Sequence, residues 1–203
     1  KKKDRILDLC CGHGRHANLL ARKGYDITGL DYTKVFLDKA KRGRTKARYV
    51  LGDVRTIEKY FPPKSFDKIY NYFTSFGYFS EKENEKIIKG VSYVLKPDGL
   101  FLLDLANPLS IFKDGVLKIV HHYPYGTMID SNHYDRKQKR LFCTRTVNFK
   151  NLKTKYDFVL RIYTPTELKI LGKKQRLTLT KITDENLKSL TKTSRRMLVV
   201  FKK

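Results

Sequence analysis

The sequence predicts an α/β fold: a mostly parallel sheet covered by helices on both faces, with an antiparallel β lobe inserted late in the chain. Three observations carry this. Short apolar runs alternate with amphipathic helical segments through the first hundred residues, the pattern of a parallel sheet buried on both sides. Those runs are continuous rather than alternating, as strands covered on both faces require. After Pro108 the texture changes to strand-like runs separated by polar turns, with no helical period.

The elements follow in order. "RILDLC" (5–10) is a buried-type strand, and "GRHANLLARKG" a helix with Ala17, Leu20 and Ala21 on one face, stopped by Gly24. "DITGLD" (26–31) is the second strand, and "TKVFLDKAKR" (33–42) a helix with Thr33 placed to cap it. "ARYVLGD" (47–53) and "FDKIYNYF" (66–73) are the third and fourth strands. "EKENEKIIKGVSYVL" (81–95) is an amphipathic helix closed by "KPDG", and "LFLLDLAN" (100–107) is strand five. "KIVHHYPY", "TMIDSNHYD", "RLFCTRTVNF" and "KYDFVLRIY" supply antiparallel strands, expected at one end of the sheet. "TPTEL" opens a helix with a capping box, Thr164 as N-cap, Pro165 at N1 and Glu167 at N3. "QRLTLTKI" and "RRMLVVFKK" complete seven strands in the main sheet. The expected units are 1–107 with 164–203, and a lobe at 108–163.

Composition narrows the class. The 203 residues suffice for one full core, and no apolar run approaches the roughly 20 residues that span a membrane. The chain opens KKKD and enters an apolar stretch shorter than a signal sequence needs. Three cysteines, two of them adjacent, make poor material for a disulfide framework, so a soluble cytoplasmic setting is expected. Forty-four Lys and Arg against twenty Asp and Glu give +24, with +9 up to Asn107 and +15 beyond it. Such a balance fits either lysine-dressed solvated faces or an anionic partner, nucleic acid or an acidic small molecule.

The chemistry concentrates in "LDLCCGHGRHA" (7–17). A metal site is not expected, because Cys10 and Cys11 are neighbours on a strand and point to opposite faces. A glycine-rich turn between strand and helix suits a nucleotide-like ligand, since backbone approaches closely and the helix start is electropositive. Asp31, at the end of the next strand, suits a ribose diol. The third glycine of the dinucleotide fingerprint is replaced by Ala17. Asp8, inside the strand, suits a cationic ligand group better than a pyrophosphate.

With those residues in view, the sequence resembles the class I S-adenosylmethionine-dependent methyltransferases over about Arg5 to Phe201. "LDLCCGHGRHA" is similar to the family's first motif, Asp31 to the ribose-holding acid, and "GDV" (52–54) to the motif after strand three. "FDKIYN" with "SFGYF" resembles the fourth motif, and "LKPDG" the turn before strand five. The resemblance implies a Rossmann-like seven-stranded sheet with S-adenosyl-L-methionine as cofactor and no metal. It implies cofactor contacts from Asp8, Cys10, Gly12, Gly14, Arg15, Asp31, Tyr32, Asp53, Val54 and Asn71. Asp8 would lie near the methionine ammonium, Asp53 at the adenine amine, and Asn71 at the methionine end. Asn71 also reads as a simple strand-end tie, and the two cysteines as small packing residues.

"TSFGYFSEKEN", "LLDLANP" and "RIYTPTEL" resemble a branch that includes amino-sugar N-methyltransferases. There the lobe after strand five roofs the acceptor, which makes Tyr72, Ser75, Tyr78, His121, Tyr123, His133 and Tyr163 candidates for the acceptor wall. His121, His122 and Tyr78 are the candidates for proton transfer. Methyl transfer to N or O of a small molecule is the leading expectation. RNA is the alternative acceptor, encouraged by "KRGRTKAR" (41–48) and "DRKQKR" (135–140). Residues 71–74 read N-Y-F-T, however, and not the N-P-P-Y/F type that serves base amines. A non-catalytic, cofactor-binding partner subunit is the third reading. Two features depart from the family. The chain starts four residues before strand one, where members carry helical segments that help close the site. "LKILGKKQ" stands where a longer helix and turn are usual.

Overall fold

A computed structural model describes residues 3–111, 116–150 and 152–203. The main sheet has seven strands in the order β10-β11-β5-β4-β1-β2-β3. Its strands are β1 (Arg5–Leu9), β2 (Asp26–Asp31), β3 (Arg48–Leu51), β4 (Phe66–Asn71), β5 (Leu95–Ala106), β10 (Thr178–Thr183) and β11 (Arg196–Lys202). β3, β2, β1, β4 and β5 run parallel, β11 runs antiparallel to β5, and β10, antiparallel to β11, resumes the direction of the others at the edge. The chain builds outward from β1 through β2 to β3, then restarts at β4 on the other side of β1. That reversal opens a crevice above the strand ends.

β1 shows why the apolar runs are continuous. Leu7 and Leu9 point into the larger core with Ile69, Phe76, Ile88 and Phe101. Ile6 points the other way, into a second core with Ala17 and Ala21 of α1 (Arg15–Arg22) and Ile27 of β2. Both faces are therefore dry. α2 (Lys34–Lys41) lies against β2 and β3. α3 (Glu81–Val94) is fixed by a full capping box, Ser80 with Glu83. α3 stops because Pro97 disfavours helix at the residue before it. Leu95 turns extended and pairs with Phe66, so "LKPDG" continues as strand rather than forming a helix-turn.

After the short α4 (Pro108–Ile111) come β6 (Val116–Tyr123), β7 (Gly126–Asp135), β8 (Arg140–Phe149) and β9 (Leu152–Arg161). They form a separate antiparallel sheet in the order β6-β7-β8-β9. This is the inserted antiparallel lobe expected after strand five; it forms a sheet of its own because β11 already occupies the edge of β5. Residues directly opposite one another share a face. Asp130, Arg145 and Tyr156 stand in one such row, and Asn132, Cys143 and Phe158 in the next. Asp130, Asn132, Cys143 and Leu160 on this face are buried, whereas His133 and Phe142 on the other are exposed.

Arg161 docks the lobe. Its guanidinium is buried and donates to Glu81 (2.6 Å) and Glu167 (2.7 Å), joining β9 to the starts of α3 and α5 (Pro165–Lys174). Glu167 also completes the α5 capping box with Thr164 and pairs with Lys139. Burial opposes its charge, but Arg161 and Lys139 hold its carboxyl down at about 2.

Candidate functional site

The loop after β1 is built on left-handed residues. Cys10, Gly12 and Gly14 have φ of 59°, 53° and 73°. The loop is tied to β2 by the Cys11 N–H on the Leu30 carbonyl (3.0 Å). Its two glycines do different work. A Cβ on Gly14 would lie 2.7 Å from the Ala40 Cβ and against the Tyr49 hydroxyl, so Gly14 lets α1 pack against α2 and β3. A Cβ on Gly12 would meet nothing within 4 Å, because that side of the loop is open.

Asp31 closes the opposite side. It is buried, and its two oxygens accept from the Gly12 N–H and the Thr33 N–H, both at 2.8 Å. Each oxygen keeps a further lone pair for a ligand hydroxyl. Beyond it Asp53 caps the 3₁₀ turn Val54–Lys59 and is gripped by the fork of Arg55, which also reaches Glu83 (2.6 Å). Hydrogen bonding from Arg55 is the main reason the Asp53 carboxyl sits below its ordinary range. Arg55 lies over the Phe79 ring at 4.6 Å.

These elements enclose a cleft of about 620 Å³. Of the residues expected at the cofactor, Cys10, Gly12, Asp31, Tyr32, Asp53 and Val54 line it, and of the acceptor set so do Ser75 and Tyr78. The Cys10 thiol is pushed up to about 12, chiefly by burial, so it is a neutral wall group. Cys11 points to the other side, its Sγ standing 2.6 Å from where a Gly29 Cβ would be.

Asp8, expected beside the methionine ammonium, is not among the residues that line the cleft. It is buried below the start of α1, and burial pushes its carboxyl up to about 7. The reason is strand parity, since Asp8 shares the Ile6 face of β1 and not the face of Leu7 and Leu9. Asn71 stands outside the cleft lining as well: its amide donates to the Leu9 carbonyl (3.1 Å) and ties the ends of β4 and β1, while its Oδ1 is buried without a partner. Gly14 serves packing, as described. Arg15 stands at the rim over Phe73.

The acceptor set also divides. Tyr72 packs edge-on against His16 and Phe73, each at 5.1 Å. Tyr163 is buried against Phe76 and donates to Glu81 (3.1 Å), which makes it a structural residue of the lobe junction. Tyr123 pairs with Phe149 at the far tip of the lobe. His122 and His133 are exposed, on the outer face. His121 alone of the three histidines lies on the inner face, its Nε2 3.8 Å from Asp130, which is bound by Arg145 (2.7 Å). Tyr78 meets that face through Phe158 at 5.9 Å. Burial raises the Tyr78 hydroxyl, so it is a protonated donor and not a base at neutral pH.

Phe36, Arg55, Phe73, Thr74 and Phe79 line the cleft without having been singled out from the sequence. Arg55 had a legible signal, a cation two residues after the acid of "GDVR". Phe73 and Thr74 had none, because their left-handed backbone (φ 58° and 53°) is set by partners distant in sequence. Among the described residues no group of three or more His, Cys, Asp or Glu comes together as a metal site.

A parallel sheet with a glycine loop after β1, an acid ending β2 and a second acid after β3 defines the class I S-adenosylmethionine-dependent methyltransferase architecture. Residues 6–99 match the family described as methyltransferase domain. It is 35% identical over 105 residues to an uncharacterized methyltransferase of a Synechocystis species, covering 51% of this chain and 48% of that one. Its fold is similar to that of the CcbJ methyltransferase of Streptomyces caelestis (TM-score 0.85, 19% identity, 98% of this chain, 82% of that one). It is also similar to CalS10, an amino pentose methyltransferase of Micromonospora echinaspora (TM-score 0.72, 20% identity, 98% and 82%). The chain spans about half the length of the curated relatives it matches.

The cofactor of this class is S-adenosyl-L-methionine, and the residues present fit it. The open space at Gly12 is a cradle that any side chain would fill, and Asp31 is held with lone pairs to spare. Asp53, already engaged by Arg55, would share its carboxylate with an adenine amine.

Proposed function

We propose that the protein transfers the methyl group of S-adenosylmethionine to a nitrogen or oxygen of a small-molecule acceptor in the cytoplasm. One observation carries this reading: the cofactor-type walls and the residues after β4 line a single cleft of about 620 Å³, within the usual range for small-ligand sites. The amino pentose named for one structural neighbour is a small-molecule acceptor.

When bound, the cofactor supplies a methyl group activated on a sulfonium, displaced in line by the acceptor's lone pair to leave a neutral thioether. The chain's part is orientation and exclusion of water. Asp31 would hold the ribose, Gly12 would admit the ligand against the backbone, and Val54 and Phe79 would supply apolar wall. Ser75 and Tyr78 would face the acceptor, with Tyr78 donating a hydrogen bond. His121, 3.8 Å from Asp130 on the inner face of the lobe, would be the group to take a proton from an amine or hydroxyl.

The test is label transfer. The protein is incubated with methyl-labelled S-adenosylmethionine and an extract of its host. Label in a small acid-soluble product distinct from cofactor breakdown is the expected result. Label in acid-precipitable, ribonuclease-sensitive material would overturn it in favour of RNA, and no transfer to any fraction would favour a non-catalytic subunit.

A further inference from the structure

The cleft is electrically lopsided. Sheet order lays it out as a line: Asp53 after β3, Asp31 at β2, Gly12 and Cys10 after β1, then Phe73 to Ser75 after β4. Its acids are at the first end, where Arg55 already offsets Asp53 and Asp31 keeps its charge without an ion pair among the described residues. At the other, Phe73 carries two guanidiniums, Arg15 at 4.6 Å and Arg196 at 5.3 Å from the ring centre. Arg196 is neutralised by Asp104, which is fully buried. Arg15 is exposed and, among the described residues, has no carboxylate within ion-pair distance. His16 stacks on the same ring at 5.6 Å, and burial and Arg15 lower its basicity, so it is a neutral spacer.

The ring is placed there at a cost. Phe73 and Thr74 are consecutive left-handed residues, a conformation that L side chains resist. It is held by the Phe73 N–H on the Asp104 carboxylate (2.9 Å), the Thr74 N–H on the Asp104 carbonyl (2.9 Å) and Arg196 on the Thr74 hydroxyl (2.8 Å). The outcome is an aromatic side chain left 53% exposed on the cleft wall. Backbone strain that serves to expose an apolar ring beside an unpaired cation marks a ligand surface more readily than a packing need. The start of α1 acts in the same sense, with no acid in its first turn and no side-chain cap.

We infer that the rim formed by Arg15 and Phe73 is the subsite for a planar anionic portion of the methyl acceptor, a carboxylate or phosphate on an unsaturated or aromatic ring. The anion sits on the Arg15 guanidinium, and the ring lies along the exposed edge of Phe73. This rests on the methyltransferase reading of the cleft and adds the acceptor's charge and shape. The same cation would also suit the carboxylate of the cofactor's methionine, and the experiment separates the two sources.

The probes are 2-aminobenzoate and its uncharged methyl ester, both fluorescent, added to protein saturated with S-adenosylhomocysteine. The chain has no Trp, so their emission is read without interference. The carboxylate is expected to bind at least tenfold tighter than the ester. Arg15→Gln, an exposed change, should erase that ratio, and Phe73→Leu should weaken both probes. Equal affinities for carboxylate and ester, no binding of either, or an unchanged ratio in Arg15→Gln would overturn the inference. So would a tenfold loss of S-adenosylhomocysteine affinity in Arg15→Gln with 5′-methylthioadenosine unaffected, since Arg15 would then hold the cofactor's carboxylate. Failure of the unsubstituted protein to bind S-adenosylhomocysteine at all would instead remove the methyltransferase reading, and this inference with it.

Discussion

Replacing Asp8 by Asn isolates the most unusual electrostatic feature of the fold. Asp8 is 3% exposed, and its Oδ2 has no hydrogen-bond partner. The hydroxyls of Tyr49 and Tyr70 are likewise buried without partners. Burial lifts the carboxyl from 3.8 to about 7 against the pull of Tyr70, with the charge of Asp31 adding to the rise. In that window the folded chain keeps a proton that the unfolded chain has lost, so stability is complete below it and falls as pH rises through it. Three pH units at about 1.4 kcal/mol each set a ceiling of about 4 kcal/mol, of which roughly 2.5 kcal/mol falls between pH 5 and pH 8.

Asn is the neutral isostere and has no such slope. Urea unfolding followed by circular dichroism at pH 5, 6.5 and 8 should show Asp8→Asn gaining roughly 2.5 kcal/mol on the parent between the extremes. Groups common to both proteins cancel in the difference. That includes His16, whose lowered basicity gives the opposite slope, a contribution lost as pH falls below its ordinary value. Parallel pH profiles for the two proteins would refute the reasoning and mean that Asp8 is solvated or paired in solution.

The two loop glycines should respond differently to alanine. Gly14→Ala should cost about 2 kcal/mol or more in urea unfolding, from the collision with Ala40 and Tyr49 added to a left-handed φ. Gly12→Ala should cost only about 1 kcal/mol of stability, yet weaken S-adenosylhomocysteine binding at least tenfold by calorimetry. Asp31→Ala should weaken the same ligand by about 3 kcal/mol through loss of a paired charge-assisted contact, and unchanged affinity would sink the ribose assignment. Arg161→Met keeps the volume but removes the bonds to Glu81 and Glu167, leaving Glu167 to Lys139 and Thr164; about 2 kcal/mol lost in urea unfolding is expected, and a loss below 0.5 kcal/mol would mean that the lobe docks without it.

The order of elements was legible because each signal is local. Continuous apolar runs, the Ser80 and Thr164 capping boxes and the stop at Pro97 depend on neighbours a few residues away. Cys10, Gly12, Asp31 and Asp53 were legible as a group for a related reason, since each directly follows or ends a parallel strand of known spacing. What was not legible turns on parity and partner. Asp8 and Asn71 lie within reach of the cleft in sequence, but strand parity sends one beneath α1, and the amide nitrogen of the other ties β4 to the Leu9 carbonyl.

Sequence alone, then, determined the succession of strands and helices, the cofactor class and the acids that would hold it, because backbone periodicity and turn chemistry are properties of adjacent residues. Tertiary structure decided which face each side chain serves and which charges are already spent. Phe73 reaches the cleft because Asp104 of β5 pins its backbone and Arg196 of β11 holds the Thr74 hydroxyl beside it, and Arg15 is left unpaired while Arg196 and Arg55 are not. Those outcomes depend on contacts between residues as far apart as Thr74 and Arg196, which only the folded sheet brings together.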